Sequence, residues 1–281
     1  MTNHVPAPTQ PELEKIGTFL ITRPCFTETK LYSKVVSGKK VWPALRYNSS
    51  VGAGIFPPLN RELSFFATSM RAALEQSSFI ATWDPKVLPE ELVLLNSLNQ
   101  VKRTISATNL DPVSYPELFA AQDDWLSTLN GKSVLVVSPF AASVERQVPK
   151  LSRIHSTFVM PSMDVGTWSP PVSNGLNIWG DSFSTRMLRA QRELDTILLS
   201  HHYDVALISA GAYGPLVAAY LFEKGVSSVH VGGCLQLLFG IMGGRWRQSK
   251  NVMKAVNHHW LESPLERPPR GARLIEGSTY W

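Results

Sequence analysis

The chain has 281 residues, of which 44% are hydrophobic and 17% charged, and its net charge is +5. These proportions are typical of a globular protein with a substantial core, and they argue against disorder. The only two cysteines, Cys25 and Cys234, indicate neither a disulfide framework nor a zinc site, so we expect a reducing, cytoplasmic location. No apolar run approaches the roughly 20 residues that span a bilayer, and the first residues are polar, so we expect no transmembrane segment and no signal peptide.

The first half of the chain carries few strong structural signals. Residues 1–15 are predicted to form a flexible tail and residues 16–21 a strand. After Pro57 and Pro58, apolar residues at helical spacing predict a helix over residues 59–74. The other elements predicted here are a strand over 79–83, a helix over 89–98 and a helix that ends over 123–129.

The second half of the chain reads as repeated strand, turn and helix. Residues 133–137 are a run of valine and leucine, which is typical of a strand buried on both faces. Residues 158–175 are rich in proline, glycine and serine and predict a loop. The remaining predicted elements are helices over 141–151, 182–200 and 215–224 and strands over 205–208 and 226–231.

This alternation predicts an α/β fold, namely a Rossmann-like parallel sheet with helices on both faces. We expect one domain over residues 16–281. Within it, residues 16–130 would be the more variable portion, residues 131–246 the Rossmann-like core and residues 247–281 a basic extension.

The segments that follow the predicted strands are expected to share one crevice, because ligands bind beyond the carboxyl ends of parallel strands. These segments are Ser138-Pro139-Phe140, Ser209 to Gly214, and Gly232-Gly233 with Gln236. A strand that breaks at glycine into a helix exposes backbone N–H groups, which suit phosphate. A nucleotide is therefore the first candidate ligand.

The glycine turns have three other possible interpretations. Ser209, Gly211 and Gly214 imitate the dinucleotide fingerprint but lack its first glycine, and His230 stands where an acidic residue would hold the ribose. A serine hydrolase is rejected, because no glycine stands two residues before Ser209. The purely structural alternative is that the glycines only allow close packing of helix on sheet.

The charged residues and the histidines are less specific. Adjacent histidines such as His201 and His202 point in different directions on a regular element, so a metal site built from histidines is not expected. Basic residues concentrate toward the C-terminus and suit a diphosphate or an anionic lipid, or form a solvated face. They lack the interleaved aromatic residues of a nucleic-acid surface, so no nucleic-acid partner is expected.

Three segments resemble a known family. They are Ser209 to Pro215, His230 to Ile241 and Gly243 to Trp246, with looser matches at Ser138 to Phe140, Gly54 to Pro57 and Glu276 to Trp281. The sequence resembles a largely uncharacterised family of bacterial and viral polysaccharide-biosynthesis proteins that look related to GT-D-type glycosyltransferases.

The resemblance implies a nucleotide-sugar site. In the GT-D type, an arginine-glycine-acidic segment ends in an Asp-x-Glu that helps to hold a metal ion and the donor. Arg23 and Glu28 match this segment, but Phe26 stands where the aspartate would be. Either Glu28 acts with Arg23 without a metal, or this chain has lost catalysis. If a metal is used, it would be Mn²⁺ or Mg²⁺ held through Glu28.

The function expected from the sequence is transfer of a sugar from a nucleotide-diphosphate sugar to a glycan or lipid-linked acceptor. Glu28 would be the base, and Arg23 or Arg245 would neutralise charge on the leaving diphosphate. The residues expected to bind substrate or nucleotide are Ser138, Gly211, Ala212, Tyr213, Gly214, Gly232, Gly233 and Gln236. The alternatives are a catalytically silent binding module of the same fold and a nicotinamide-dependent oxidoreductase. Peripheral contact with a membrane is left open.

Overall fold

The structure is a computed structural model that describes residues 5–83, 88–173, 180–275 and 280–281. Within these residues, seven parallel strands form one sheet, in the order β3-β2-β1-β7-β6-β4-β5. The strands are β1 (Leu20–Thr22), β2 (Phe79–Thr82), β3 (Thr104–Ser106), β4 (Lys132–Val137), β5 (Met163–Trp168), β6 (Val205–Ile208) and β7 (Ser227–His230).

Helices cover both faces of this sheet. They are α1 (Gln10–Ile16), α2 (Phe26–Val36), α3 (Pro43–Val51), α4 (Asn60–Gln76), α5 (Glu90–Asn96), α6 (Ala141–Gln147), α7 (Leu151–Ile154), α8 (Phe183–Ser200), α9 (Gly214–Glu223), α10 (Leu235–Leu238) and α11 (Lys250–Ala255). Residues of α1, α6, α7, α10 and α11 share a core with one face of the sheet, and those of α2, α3, α4, α5, α8 and α9 share a core with the other. The predicted α/β fold with helices on both faces of a parallel sheet is confirmed.

The central strands show why the sequence forms this sheet. In β4, Val134 and Val136 enter one core, while Leu135 and Val137 enter the other, because successive side chains point to opposite faces. A strand covered by helices on both sides therefore needs apolar residues at every position. Strand β6 has the predicted bounds, 205–208. Strand β7 is one residue shorter at each end than the predicted range of 226–231.

Several elements differ from the sequence predictions. Helix α1 lies mostly within the predicted tail, since Thr9 caps it and Leu13 is fully buried. Strand β5 lies within the predicted loop. It is an edge strand that is only partly buried, so polar residues interrupt its apolar pattern. Helices α2, α3, α10 and α11 and strand β3 were not predicted from the sequence.

The predicted variable portion and the predicted core contribute to the same sheet, because β1 of the former pairs with β7 of the latter. The chain after residue 246 adds α11, whose Val252 and Ala255 enter one of the two cores. Among the described residues, no helix is both long enough and apolar enough to span a membrane.

Candidate functional site

A cavity of about 390 Å³ lies at the carboxyl edge of the sheet. The segments that follow all seven strands contribute to its lining, through Arg23, Trp83, Ala107, Pro139, Pro170, Ser209 and Gly232 in chain order. The three strand ends that the sequence predicts to share a crevice therefore do so.

The topology explains the position of this cavity. Neighbouring strands β1 and β7 send the chain to opposite faces, because α2 packs in the core that contains Leu20, whereas α10 packs in the core that contains Ile21. Diverging connections leave a crevice between two adjacent parallel strands, which is where open α/β sheets bind ligands.

Arg23 lies in this crevice, directly after β1. Its side chain is 7% exposed, and its Nε has no hydrogen-bond partner within the described part of the chain. Burial lowers the pKa of Arg23, but the nearby Cys234, Cys25 and Asp111 side chains raise it more, so the net shift is upward. Arg23 is therefore a buried, permanent cation on the wall of a cavity.

Two residues hold the Arg23 guanidinium in place. Its carbon lies 5.4 Å from the centre of the Trp83 ring, a cation–π contact. On another side it contacts Gly232, where any Cβ would overlap the guanidinium. Gly232 also has a φ of +73°, a conformation that favours glycine. The closeness of the guanidinium and the positive φ therefore both favour glycine at position 232.

Aromatic rings extend the wall beyond Arg23. The Phe26 and Trp83 ring centres are 5.3 Å apart, and both residues line the cavity. Phe26 occupies the place where the family resemblance implies an aspartate, so an apolar ring stands there instead of a carboxylate. The cavity wall next to Arg23 is thus suited to a flat or apolar group.

Asp111, which was not predicted from the sequence, also lines the cavity. Its carboxylate accepts the Ser114 N–H at 3.0 Å. Burial raises the pKa of Asp111, partly offset by that hydrogen bond and by the charge of Arg23. Asp111 follows β3, and since that strand was not predicted, nothing in the sequence marked Asp111 as a strand-end residue.

Glu28 lies in the first turn of α2, is 5% exposed and lines the same cavity. Glu28 and Asp111 are the carboxylates among the described lining residues. In the described ranges, no three histidine, cysteine, aspartate or glutamate side chains converge closely enough to hold a metal ion. The metal ion that the resemblance implies, held through Glu28, therefore stays a prediction, and no step below is routed through a metal.

The glycine turn after β6 has less free backbone than the sequence suggests. Gly211 lines the cavity with a φ of +51°. However, the Ala212 N–H donates to the Ala53 carbonyl at 3.2 Å, and the Tyr213 N–H donates to the Ala210 carbonyl at 3.0 Å. These two hydrogen bonds hold the turn together, so a phosphate could accept from these N–H groups only by replacing the Ala53 and Ala210 carbonyls.

Tyr213 and Gly214 are packed against other side chains of the protein. The Tyr213 ring stacks on Phe183, with centres 4.3 Å apart, and its hydroxyl bonds to that of Ser173 at 3.0 Å. Burial raises the pKa of Tyr213 to about 12. At Gly214, any Cβ would overlap the ring of His230, which lines the cavity and whose pKa burial lowers to about 3, with Arg23 contributing.

Four predicted binding residues lie outside the cavity lining, namely Ser138, Ala212, Gly214 and Gln236. The Ser138 hydroxyl accepts the Phe140 N–H at 3.1 Å, and Ala212 is fully buried. The Gln236 side-chain amide donates to the Ile241 carbonyl at 3.2 Å and to the Tyr280 carbonyl at 3.4 Å. Ser138 and Gln236 therefore contact Phe140 and Tyr280, both of which do line the cavity.

The last residues of the chain complete the wall. The Trp281 carbonyl accepts the Gly244 N–H at 3.3 Å, and its ring packs edge-on against Phe140 at 5.7 Å. Arg245 donates to the Tyr280 hydroxyl at 3.2 Å and lines the cavity. Gly233 also lines it, facing Tyr280. Residues 276–279, part of the family resemblance, lie outside the described residues.

Comparisons with known proteins support the fold. No family model matches the sequence, and neither does any curated protein. Two solved structures match with a TM-score of 0.50 and 12% identity, over 88% of this chain and 87% of theirs. One is described as the highly conserved domain of unknown function 1792, with a distinct glycosyltransferase fold, and the other is a selenomethionine-substituted structure of that domain. The chain therefore has a glycosyltransferase-like fold of the GT-D type.

Proposed function

We propose that this protein binds a nucleoside-diphosphate sugar in the cavity and transfers the sugar to an acceptor hydroxyl. The observation that carries the proposal is Arg23, a buried guanidinium in the crevice between β1 and β7. A buried charge is unfavourable unless an anion compensates it. The planar guanidinium binds phosphate oxygens through paired hydrogen bonds, which makes a diphosphate a matching partner.

The rest of the cavity fits the other parts of such a donor. Its volume of about 390 Å³ lies in the range of small-molecule sites, which is roughly 300–1,000 Å³. The Phe26 and Trp83 rings offer a surface on which a base or sugar can pack. The glycosyltransferase-like fold agrees with this class of ligand.

The chemistry assigned to the site is a group transfer. The bond between the sugar's anomeric carbon and the diphosphate oxygen breaks, and a bond from the acceptor oxygen to that carbon forms. Arg23 stabilises the charge that grows on the leaving diphosphate. The acceptor proton passes to a carboxylate of the cavity, Glu28 or Asp111.

The first experiment is calorimetric titration with the diphosphates of uridine, guanosine, cytidine and thymidine and with their sugars. Arg23→Gln should weaken binding by about 10- to 100-fold, because a hydrogen bond to a charged group contributes roughly 1.5–3 kcal/mol. The matched control is Arg189→Gln, whose guanidinium pairs with Asp181 outside the cavity. Equal affinity in the two variants, or no binding by the parent, would overturn the proposal.

A silent binding module remains the second candidate, because Phe26 replaces the expected carboxylate. Turnover of the bound donor separates the two functions, since both require binding. Repeating the titration and the turnover assay with Mn²⁺ and Mg²⁺ tests whether either ion is needed. Fluorescence of reduced nicotinamide cofactor on mixing tests the oxidoreductase alternative, which predicts a shift or quenching.

A further inference from the structure

A strongly basic surface lies on the helices that follow β1. From Thr29 to Arg61 the chain contains no aspartate and no glutamate. The cations of this stretch are Lys30, Lys34, Lys39, Lys40, Arg46 and Arg61, all exposed or half-exposed. Together with the exposed apolar residues Val36, Trp42, Tyr47 and Leu59, we call them the basic aromatic surface.

Side-chain contacts show that the basic aromatic surface is continuous. Arg46 of α3 donates to the Val41 carbonyl at 3.1 Å and to the Pro58 carbonyl at 2.7 Å, which joins the segments on either side of that helix. The Lys34 ammonium of α2 lies 4.6 Å from the centre of the Trp42 ring. The end of α2, the first turn of α3 and the start of α4 therefore form one patch.

Across the described ranges, none of the six cations of this patch forms an ion pair with a carboxylate. The next acid along the chain, Glu62, is 3% exposed and accepts hydrogen bonds from the Ser184 N–H and hydroxyl. Its carboxylate is turned into the protein, so the surface keeps its charge.

The apolar residues on the patch are as informative as the cations. Trp42 and Tyr47 are each 53% exposed and Leu59 is 61% exposed. An exposed tryptophan and tyrosine among lysines is the composition of a membrane-interface segment, where the rings sit at headgroup level and the cations meet anionic lipid. Leu59 and Val36 favour lipid over nucleic acid, because aliphatic side chains cannot stack on bases.

We propose that the basic aromatic surface binds an anionic lipid bilayer. Clusters of four to eight lysines and arginines are the usual basis of such binding. Helix α3 connects the surface to the cavity, since Gly52, Ala53 and Gly54 at its end line that cavity. Bilayer binding is independent of the proposed function, but it implies a lipid-linked acceptor if that function is correct.

Sedimentation with vesicles tests this inference. The full chain should bind phosphatidylcholine vesicles that contain phosphatidylglycerol, should bind pure phosphatidylcholine much less, and should be released by added salt. Lys39→Gln with Lys40→Gln should lower partitioning by roughly fivefold for each lysine. The charge-matched control is Lys250→Gln with Lys254→Gln on α11, which should leave partitioning near that of the parent chain.

A second pair of variants tests the apolar contribution. Leu59→Ala should weaken vesicle binding, whereas Leu199→Ala, at a leucine that is 90% exposed on α8, should not. Equal loss in the two lysine pairs, or binding of polyuridylate but not of vesicles, would overturn the inference. Nucleotide titration of the same variants should be unchanged, so a failure here is distinguishable from a failure of the proposed function.

Discussion

Single residues set the geometry around Arg23, and a substitution at Gly232 gives the most direct test of this. In Gly232→Ala, the new Cβ would overlap the guanidinium, and the backbone φ of +73° would be strained as well. We expect a loss of unfolding free energy larger than backbone strain alone would cause, because the Arg23 guanidinium must move. We also expect weaker nucleotide binding for the same reason. Urea denaturation and calorimetric titration measure the two effects.

The matched control is Gly225→Ala. Gly225 has a φ of +85° with no atom within 4 Å of a new Cβ, so this variant isolates backbone strain, about 1–2 kcal/mol. It should bind nucleotide like the parent chain. If Gly232→Ala and Gly225→Ala lose equal stability and keep equal affinity, Gly232 does not position Arg23.

Buried histidines should make stability depend on pH. Burial lowers the pKa of His230 to about 3 and that of His155 to about 4. In the unfolded chain a histidine takes up a proton near pH 6.5, so between those values the unfolded state binds more protons. Stability should therefore fall as the pH falls from about 6.5 to about 4, by up to ~1.4 kcal/mol per pH unit for each histidine.

Urea denaturation of the parent and of His230→Asn across this range measures the effect. The variant should show a shallower dependence, whatever its stability at neutral pH. Asp111 and Asp124, whose pKa values burial raises, act in the opposite sense, so the slopes of parent and variant must be compared with each other. Parallel slopes would mean that His230 is not held neutral in the folded protein.

At the scale of elements, a carboxylate from the C-terminal segment fixes the start of α6. Glu266 accepts the Ser143 N–H at 3.0 Å and the Ser143 hydroxyl, which in turn accepts the Leu265 N–H at 2.8 Å. Ser143 is fully buried. Glu266→Ala should cost about 1–3 kcal/mol of unfolding free energy, because buried donors lose their acceptor.

Glu262→Ala is the control for this contact, since the Glu262 backbone carbonyl, not its side chain, accepts the Arg247 guanidinium. Its effect should stay within about 0.5 kcal/mol. Chemical denaturation compares the two alanine variants, and Glu266→Gln, which keeps an acceptor oxygen, should fall between them. Similar losses at both positions would show that the contact with Ser143 is not stabilising.

The elements that sequence alone could predict are those whose burial leaves a simple pattern. Strand β4 is apolar at its buried positions, and α8 has one apolar stripe, so both were predicted to within a residue or so. Strand β5 could not be predicted, because it lies at the sheet edge and carries Asp164, Gly166 and Thr167. Edge strands are half-solvated, and their composition then resembles that of a loop.

At the scale of the whole molecule, the pairing of β1 with β7 was beyond sequence reasoning. Some two hundred residues separate Ile21 from Val229, which are register partners, and no local pattern encodes that contact. The crevice could be predicted from strand ends in the second half of the chain, but its buried cation, Arg23, directly follows β1 in the first half. Arg23 was found only through the family resemblance, and Asp111 was not found at all.

The pairing of β1 with β7 in the middle of the sheet leads to a prediction about unfolding. Because β7 lies between β1 and β6, neither the portion before residue 130 nor the portion after it can unfold without breaking the centre of the sheet. We expect one cooperative transition, with coincident midpoints by far-UV circular dichroism and by tryptophan fluorescence. A nucleotide at about 100 times its dissociation constant should stabilise both signals by ~2.7 kcal/mol. Two transitions, of which only one responds to nucleotide, would contradict a single domain over residues 16–281 and would locate the site in the responding unit.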